Sequence, residues 1–185
     1  MSIEENTPFY KKKAFIPEDI TCVKMYNLAC EYLESKGYIQ YEISNFSEPG
    51  FECHHNLRYW DRKDYLGIGS SAHSFMGEGA GRRWWNISHP EEYLRVLNQG
   101  KIPVAGEENL SSEDAMKEMV FLKLRLKKGL SEKDFYSKFS ILIEDAFPGV
   151  VEKLISMGLV KKKGDFIFLT PKGRILSNQV FLEFF

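Results

Sequence analysis

The sequence of 185 residues has no long apolar run and no excess of charge of either sign. No apolar stretch approaches the roughly 20 residues that a membrane-spanning helix requires. The first 13 residues contain no apolar stretch and include three consecutive lysines, so they do not have the pattern of a secretory signal. We therefore expect a cytoplasmic protein without a transmembrane segment. The formal net charge of -1 gives no electrostatic reason to expect nucleic acid as a partner.

Cysteine is also scarce, and its spacing excludes the common cysteine-based sites. Cys22, Cys30 and Cys53 form neither a CxxC pair nor a CxxxCxxC motif. An odd number of widely spaced cysteines argues against a disulfide framework. Adjacent Cys53, His54 and His55 have no evident fourth ligand for zinc, so a zinc site is disfavoured.

Hydrophobic periodicity in the first half predicts helices and strands. From Pro17 apolar residues recur at helical spacing as far as Gly37, and residues 38–44 then alternate like a strand. Residues 65–69 are short, apolar and marked by glycine, which is typical of a buried strand that ends where the backbone closely approaches something. Residues 2–13 have little periodicity and are expected to be extended and to run into a loop.

The second half is predicted to be mostly helical. Residues 159–170 are expected to form a β-hairpin around Gly164-Asp165, and a final helix follows it. Helices, a hairpin and a closing helix are typical of a winged-helix-like unit. The closing helix carries only two basic residues, Lys172 and Arg174, and ends in apolar ones, so DNA recognition is not favoured.

The densest cluster of reactive and aromatic side chains lies between Cys53 and Trp60. An imidazole such as that of His55 can bind iron, and the flat faces of Tyr59 and Trp60 can stack on a planar ligand. The cluster is expected on a loop that follows a strand. In the alternative without a ligand, His55 and Asn56 hydrogen-bond the loop while the two aromatic residues pack in a core.

Two further segments have candidate binding residues. Gly67, Gly69 and Ser70 belong to a run of small residues that would let a ligand approach backbone amides. The run is neither a GxGxxG fingerprint nor a P-loop, and the alternative is a tight strand end with no ligand. In the segment RRWWN, Arg82 and Arg83 can hold carboxylates, or they can stack on the neighbouring tryptophans.

Three segments taken together, YEISNFSEPGFECHHNLRYW, DYLGIGSSAHSF and RRWWN, resemble the oxygen-independent coproporphyrinogen III oxidase family. The tail FLTPKGRILSNQVF resembles the end of that family's C-terminal domain. The HNxxYW pattern at residues 55–60 resembles the mark of one branch, the radical-SAM haem chaperones, where it is associated with haem binding. The resemblance covers nearly the whole chain.

The resemblance implies an α+β fold for a C-terminal fragment of a radical-SAM protein. Residues 1–87 would be the last βα units of a partial triose-phosphate-isomerase-type barrel. Residues 88–185 would be a mostly helical C-terminal domain with the winged-helix-like hairpin. An incomplete barrel exposes strand edges, which favours pairing with a second copy as a homodimer.

The resemblance also implies ligands and the residues that bind them. Haem or porphyrin would be bound by His55, as the iron ligand, and by Asn56, Tyr59 and Trp60 beside it. S-adenosylmethionine and a [4Fe–4S] cluster belong to the full-length members, and Gly67, Gly69 and Ser70 would line the S-adenosylmethionine site. The cluster needs cysteines in a CxxxCxxC motif, which is absent here, so no catalytic residue is expected in this chain by itself.

Three hypotheses about function follow. The leading one is the C-terminal part of a haem chaperone, which binds haem or porphyrin and passes haem to an acceptor protein. The first alternative is a part of a true oxygen-independent coproporphyrinogen III oxidase, which decarboxylates its substrate by radical chemistry. The second alternative is a protein-interaction module built on the winged-helix-like tail. The HNxxYW pattern favours the chaperone.

Overall fold

The computed structural model describes residues 7–11 and 17–185, and within them it confirms the predicted α+β class. The helices are α1 (Pro8–Lys11), α2 (Asp19–Ser35), α3 (His54–Trp60), α4 (Pro90–Asn98), α5 (Ser112–Arg125), α6 (Glu132–Phe139), α7 (Ile143–Ala146), α8 (Val150–Ser156), α9 (Pro171–Ile175) and α10 (Ser177–Leu182). The strands are β1 (Ile39–Gln40), β2 (Phe46–Ser47), β3 (His73–Met76), β4 (Arg82–Asn86), β5 (Val104–Asn109), β6 (Leu130–Ser131), β7 (Val160–Lys163) and β8 (Phe166–Leu169). None of the helices in these ranges has the length and apolar character needed to cross a bilayer.

The first helix-and-strand pair follows the prediction only in part. The long helix α2 is confirmed, and Gly37 follows it with a φ of +86°, a conformation that favours glycine at the end of a helix. The predicted strand 38–44 is reduced to β1 because the chain turns after it and returns as β2. The turn is stabilised by Glu42, whose Oε1 accepts hydrogen bonds from Ser44 N at 2.8 Å and Asn45 Nδ2 at 2.6 Å.

Two other predictions from the first half are corrected. The expected extended segment 2–13 contains the short helix α1, and residues 1–6 and 12–16 lie outside the described residues. The expected buried strand 65–69 is wrong, because Leu66 and Ile68 are 70% and 85% exposed. This segment pairs with the rest of the fold through a single antiparallel bridge between Tyr65 and Phe75.

The central sheet has the order β3-β4-β5 and is antiparallel throughout. It contains β4, which begins at Arg82, and β5, which comes from a segment with no alternating apolar pattern. The sheet therefore joins strands on both sides of residue 87, and the division of the chain at that residue stays a prediction. All pairs of named strands within residues 7–11 and 17–185 are antiparallel, so the parallel barrel units also stay a prediction.

The largest hydrophobic core lies in the C-terminal half. Helix α5 packs with α6 and α10 against a second antiparallel sheet of order β6-β8-β7. The predicted hairpin is confirmed, since β7 pairs with β8 from Val160↔Leu169 to Lys163↔Phe166. The likeness to a winged-helix unit stays a prediction. The buried residues of this core include Val120, Leu124, Leu130, Phe135, Leu154, Leu159, Val160, Ile167 and Val180.

Serine and threonine side chains cap the first turns of α5, α6 and α9. Ser111 Oγ accepts from Asp114 N, and Ser131 Oγ accepts from Asp134 N, each at 3.0 Å. Each serine side chain supplies a hydrogen-bond acceptor that the first turn of the helix lacks. Thr170 caps α9 in the same way, by accepting from Gly173 N at 3.0 Å.

Helix α5 is also the element that joins the two halves and positions the segment around α3. Arg125 at its end donates to the buried carboxylate of Glu42 at 3.4 Å. Lys123 donates to Asp61 Oδ1 at 2.6 Å, directly after α3. Glu118 accepts from Arg62 Nε at 2.6 Å. Helix α5 thus holds both the turn at residues 41–45 and the end of α3.

Candidate functional site

The predicted haem-site residues lie on a helix, α3, and not on the loop that the sequence suggested. The helix has two turns and begins after Cys53, which contributes no side-chain cap. It ends at Asp61, and Arg62 follows with a φ of +53°. The hydrogen bond from Lys63 N to Arg58 O closes the helix at 2.9 Å, which is the arrangement of a Schellman motif.

His55 and Tyr59 are one helical turn apart and form a pair on the exposed side of α3. Tyr59 Oη and His55 Nε2 are joined by a hydrogen bond of 2.9 Å, and the two rings meet edge to face at 4.8 Å. The His55 side chain is exposed, whereas Tyr59 is half-buried and packs edge to face on Tyr65 at 4.6 Å. Burial raises the pKa of the Tyr65 phenol, so this neighbour stays neutral.

The other two residues of the motif face the body of the protein. Trp60 is half-buried, and the Arg125 guanidinium lies over its ring at 4.5 Å. Asn56 is half-buried on the same helix. The structure therefore agrees in part with the alternative without a ligand, because Tyr59 and Trp60 pack on neighbouring side chains. His55, however, is bound to Tyr59 and remains accessible to a ligand.

The glycine-rich segment 67–71 is held from within the protein. Gly67 N donates to Ser74 Oγ at 2.9 Å, and Gly69 N donates to Tyr93 Oη at 3.2 Å. Asn86 Nδ2 donates to Gly69 O at 2.9 Å. These bonds run to β3, β4 and α4 and do not lead to α3. They use two of the backbone amides that a ligand was expected to approach, and they favour the alternative in which this segment binds no ligand.

Gly67 provides a direct test of that alternative. A Cβ at this position would lie 2.1 Å from the carbonyl oxygen of His73, so the backbone itself explains the glycine. We expect Gly67→Ala to lower the free energy of unfolding by about 1–3 kcal/mol, as overpacking does elsewhere. Urea denaturation followed by circular dichroism measures it, and Ser70→Ala, which adds no atom, is the matched control. Equal stability of the Gly67 variant and the native chain would contradict the close approach.

The two arginines of the RRWWN segment are already paired with glutamates. Arg82 forms an ion pair with Glu107 and lies over the ring of Trp84 at 5.5 Å. Arg83 forms an ion pair with Glu118 and lies 3.9 Å from Glu108. This arrangement supports the structural alternative for these arginines rather than direct binding of a ligand.

A cavity of about 260 Å³ adjoins the motif on the inner side of α3. It is lined by Tyr59, Trp60, Arg62, Tyr65, Phe75, Glu118 and Leu122. The sequence reasoning missed Arg62, Tyr65 and Glu118 as site residues. Only the position of Arg62 two residues beyond the HNxxYW pattern could have drawn attention to it.

The residues present do not fit a [4Fe–4S] cluster. Cys22, Cys30 and Cys53 are free thiols, and they sit on α2 and at the start of α3. Within residues 7–11 and 17–185 no three side chains of histidine, cysteine, aspartate or glutamate come together as a metal site. Haem requires fewer ligands from the protein, because the porphyrin supplies four nitrogen ligands and the protein needs to supply one imidazole.

Comparison with known proteins places these features in a family. Residues 110–176 match the family model described as the HemN C-terminal domain. A heme chaperone HemW from Bacillus subtilis is 32% identical over 98% of this chain, and one from Mycobacterium tuberculosis is 35% identical over 89% of it. The chain belongs to the HemN/HemW-type radical-SAM family.

The HemN/HemW relationship extends to the fold. The solved structure of coproporphyrinogen III oxidase HemN from Escherichia coli, described as a radical-SAM enzyme, matches 91% of this chain with a TM-score of 0.70 and 22% sequence identity. The chain spans 48% of the length of the B. subtilis HemW, 39% of the M. tuberculosis one and 42% of that HemN structure. It therefore corresponds to about half of a HemN/HemW protein or less.

Proposed function

We propose that this chain binds haem on the outer face of α3, with His55 as the iron ligand. The observation that carries the proposal is an exposed imidazole that lies one helical turn from half-buried aromatic rings. The names of the HemW relatives, which are heme chaperones, point to the same ligand. Tyr59 offers apolar ring surface beside the imidazole, and the roles of Asn56 and Trp60 on the same helix stay predictions.

The hydrogen bond between Tyr59 and His55 does not oppose iron binding. If Nε2 becomes the ligand, one hydrogen bond is exchanged for a coordinate bond. Such a bond contributes about 0.5–1.5 kcal/mol net. A micromolar affinity corresponds to about -8.2 kcal/mol, so the exchange costs a small part of the total. In the free protein the Tyr59 hydroxyl holds the imidazole in one orientation.

A hemin titration of the whole chain tests the proposal. We expect a Soret band shifted from that of free hemin, and we expect His55→Ala to weaken the affinity at least tenfold, which is about 1.4 kcal/mol. His54→Ala is the matched control, because it removes an exposed imidazole from the preceding position of the same helix. An identical Soret band and affinity for the native chain and His55→Ala would remove His55 from the ligand set.

The remaining expectations about ligands and partners rest on the family. S-adenosylmethionine and a [4Fe–4S] cluster are proposed for full-length members only, and the role of Gly67, Gly69 and Ser70 at such a site stays a prediction. Transfer of haem to an acceptor protein, formation of a homodimer and a cytoplasmic location stay predictions as well. The two alternative functions, a radical decarboxylase and a protein-interaction module, also stay predictions.

A further inference from the structure

Arg62 occupies a position that few arginines adopt. Its residue is only 6% exposed, and its backbone φ of +53° lies in the left-handed region that favours glycine. A buried charge in an unfavourable backbone conformation persists only where its surroundings hold it there. The Phe75 ring packs on the Arg62 guanidinium, with its centroid 4.7 Å from the guanidinium carbon.

The guanidinium of Arg62 has one donor group left over. Its Nε donates to Glu118 Oε2 at 2.6 Å, and its Nη2 donates to the carbonyl oxygen of Ala80. Its Nη1 is shielded from solvent and has no acceptor among the residues that the structure describes. A buried donor without an acceptor is costly, so a ligand that supplies an acceptor would be favoured.

A second donor of the same kind belongs to a residue lining the same cavity. Trp60 Nε1 is also shielded and also lacks an acceptor within residues 7–11 and 17–185. Both Trp60 and Arg62 line the 260 Å³ cavity on the inner side of α3. Both unpaired donors therefore belong to residues that line one cavity, and a group rich in acceptors is the occupant that would pair with them.

Two guanidinium groups share one carboxylate beside the cavity. Glu118 is shared between two guanidinium groups, those of Arg62 and Arg83. Arg83 does not line this cavity, and it also lies 3.9 Å from Glu108. The charged residues that line the cavity are Arg62 and Glu118. Because Arg83 shares the Glu118 carboxylate, a further carboxylate would match the spare donor of the Arg62 guanidinium.

We infer that the cavity bounded by Tyr59, Trp60 and Arg62 is a carboxylate-binding subsite, with Arg62 Nη1 and Trp60 Nε1 as donors. The inference rests on the proposed function for the identity of the ligand: Tyr59 both bonds His55 and lines this cavity, so a haem bound through His55 would lie next to it. The subsite would hold one propionate while His55 binds the iron. A free small carboxylate has the same chemistry, and the experiment separates these two sources.

The first arm compares ferric protoporphyrin IX with its dimethyl ester, by absorbance titration of the whole chain in one solvent mixture. We expect the native chain to bind the diacid at least tenfold more tightly than the diester. Arg62→Met should abolish this preference and leave the affinity for the diester unchanged. Arg95→Met, which removes an exposed arginine paired with Glu92 on α4, should retain the preference.

The second arm does not depend on haem or on a variant. Propionate and its neutral analogue propionamide are titrated into the ¹⁵N-labelled native chain, and the indole N–H signal of Trp60 is followed. We expect propionate to shift this signal and propionamide to leave it unchanged. This titration tests the carboxylate subsite even if Arg62→Met does not fold. It also tests the subsite if haem does not bind and the proposed function fails.

Three results would overturn the inference. One is equal affinity of the native chain for the diacid and the diester. Another is a preference for the diacid that survives in Arg62→Met. The third, in the absence of haem binding, is a Trp60 signal that propionate does not move. A shift with propionate and no porphyrin binding would instead retain the subsite and assign it to a free carboxylate.

Discussion

Phe135→Ala is expected to lower the free energy of unfolding by about 3–5 kcal/mol. The Phe135 side chain on α6 is 0% exposed and packs against the rings of Phe139 and Phe147, with centroids at 5.0 and 6.4 Å. Its truncation removes the apolar contacts and leaves a cavity that the surrounding helices and sheet can fill only partly. The loss of free energy of unfolding should be close to the upper end of the range for large-to-small substitutions in a core.

Urea denaturation followed by circular dichroism at 222 nm measures this change. Tyr136→Ala is the matched control, because Tyr136 is the next residue of α6 and is half exposed. Its truncation should cost much less than that of Phe135. A loss below about 1 kcal/mol for Phe135→Ala would mean that the core of the C-terminal half is not the main source of stability.

Gly129→Ala should be nearly as damaging, for a different reason. Gly129 lies between α5 and β6 with a φ of +82°, and a Cβ there would lie 2.1 Å from the carbonyl oxygen of Ile167. The left-handed conformation costs an alanine about 1–2 kcal/mol. The clash with backbone adds about 1–3 kcal/mol, because β8 has to move away from β6. We expect a total loss of about 2–5 kcal/mol.

Gly149→Ala separates these two contributions. Gly149 has a similar φ of +72°, but a Cβ there would meet nothing within 4 Å. Its replacement should therefore cost only the conformational part, about 1–2 kcal/mol. The difference between the two variants, read from their urea midpoints, measures the clash. Equal losses would show that the contact between residue 129 and β8 relaxes without cost.

The parts of the fold that follow from local patterns could be predicted. Helix α2 has a helical run of apolar residues, with Asp19 in its first turn and Gly37 beyond its end. Ser131 is a cap before a short amphipathic helix. Gly164-Asp165 lies between two segments rich in β-formers, and these segments pair as β7 and β8. In each case the local sequence and the tertiary structure favour the same conformation.

The parts determined by contacts distant in sequence could not be predicted. Strand β5 contains Gly106 and two glutamates, so it shows no apolar alternation. It forms because β4 offers it a partner edge, and Gly106 accommodates the ring of Trp85. Helix α3 looked like a loop because its residues have weak helix propensity. Its end is held from α5, by Lys123 through Asp61 and by Arg125 over Trp60.

In the candidate site, too, local sequence patterns predicted some features, and contacts distant in sequence determined the others. The HNxxYW pattern drew attention to His55 and Tyr59, and these two residues do form a pair. Arg62 and Glu118 are 56 positions apart, and their ion pair depends on how α5 packs against α3. No local pattern in the sequence could place them on one cavity.

The backbone of Arg62 makes position 62 a place where two selective pressures oppose each other. Glycine there would relieve the left-handed conformation, which costs a non-glycine residue about 1–2 kcal/mol. Glu118 would keep Arg83 as its partner, so glycine would leave that carboxylate paired. Selection for stability alone would therefore allow drift toward glycine, and selection for a bound carboxylate would oppose it. Whether arginine or glycine occupies this position in a relative would then distinguish lineages that keep the anion subsite from lineages that have lost it.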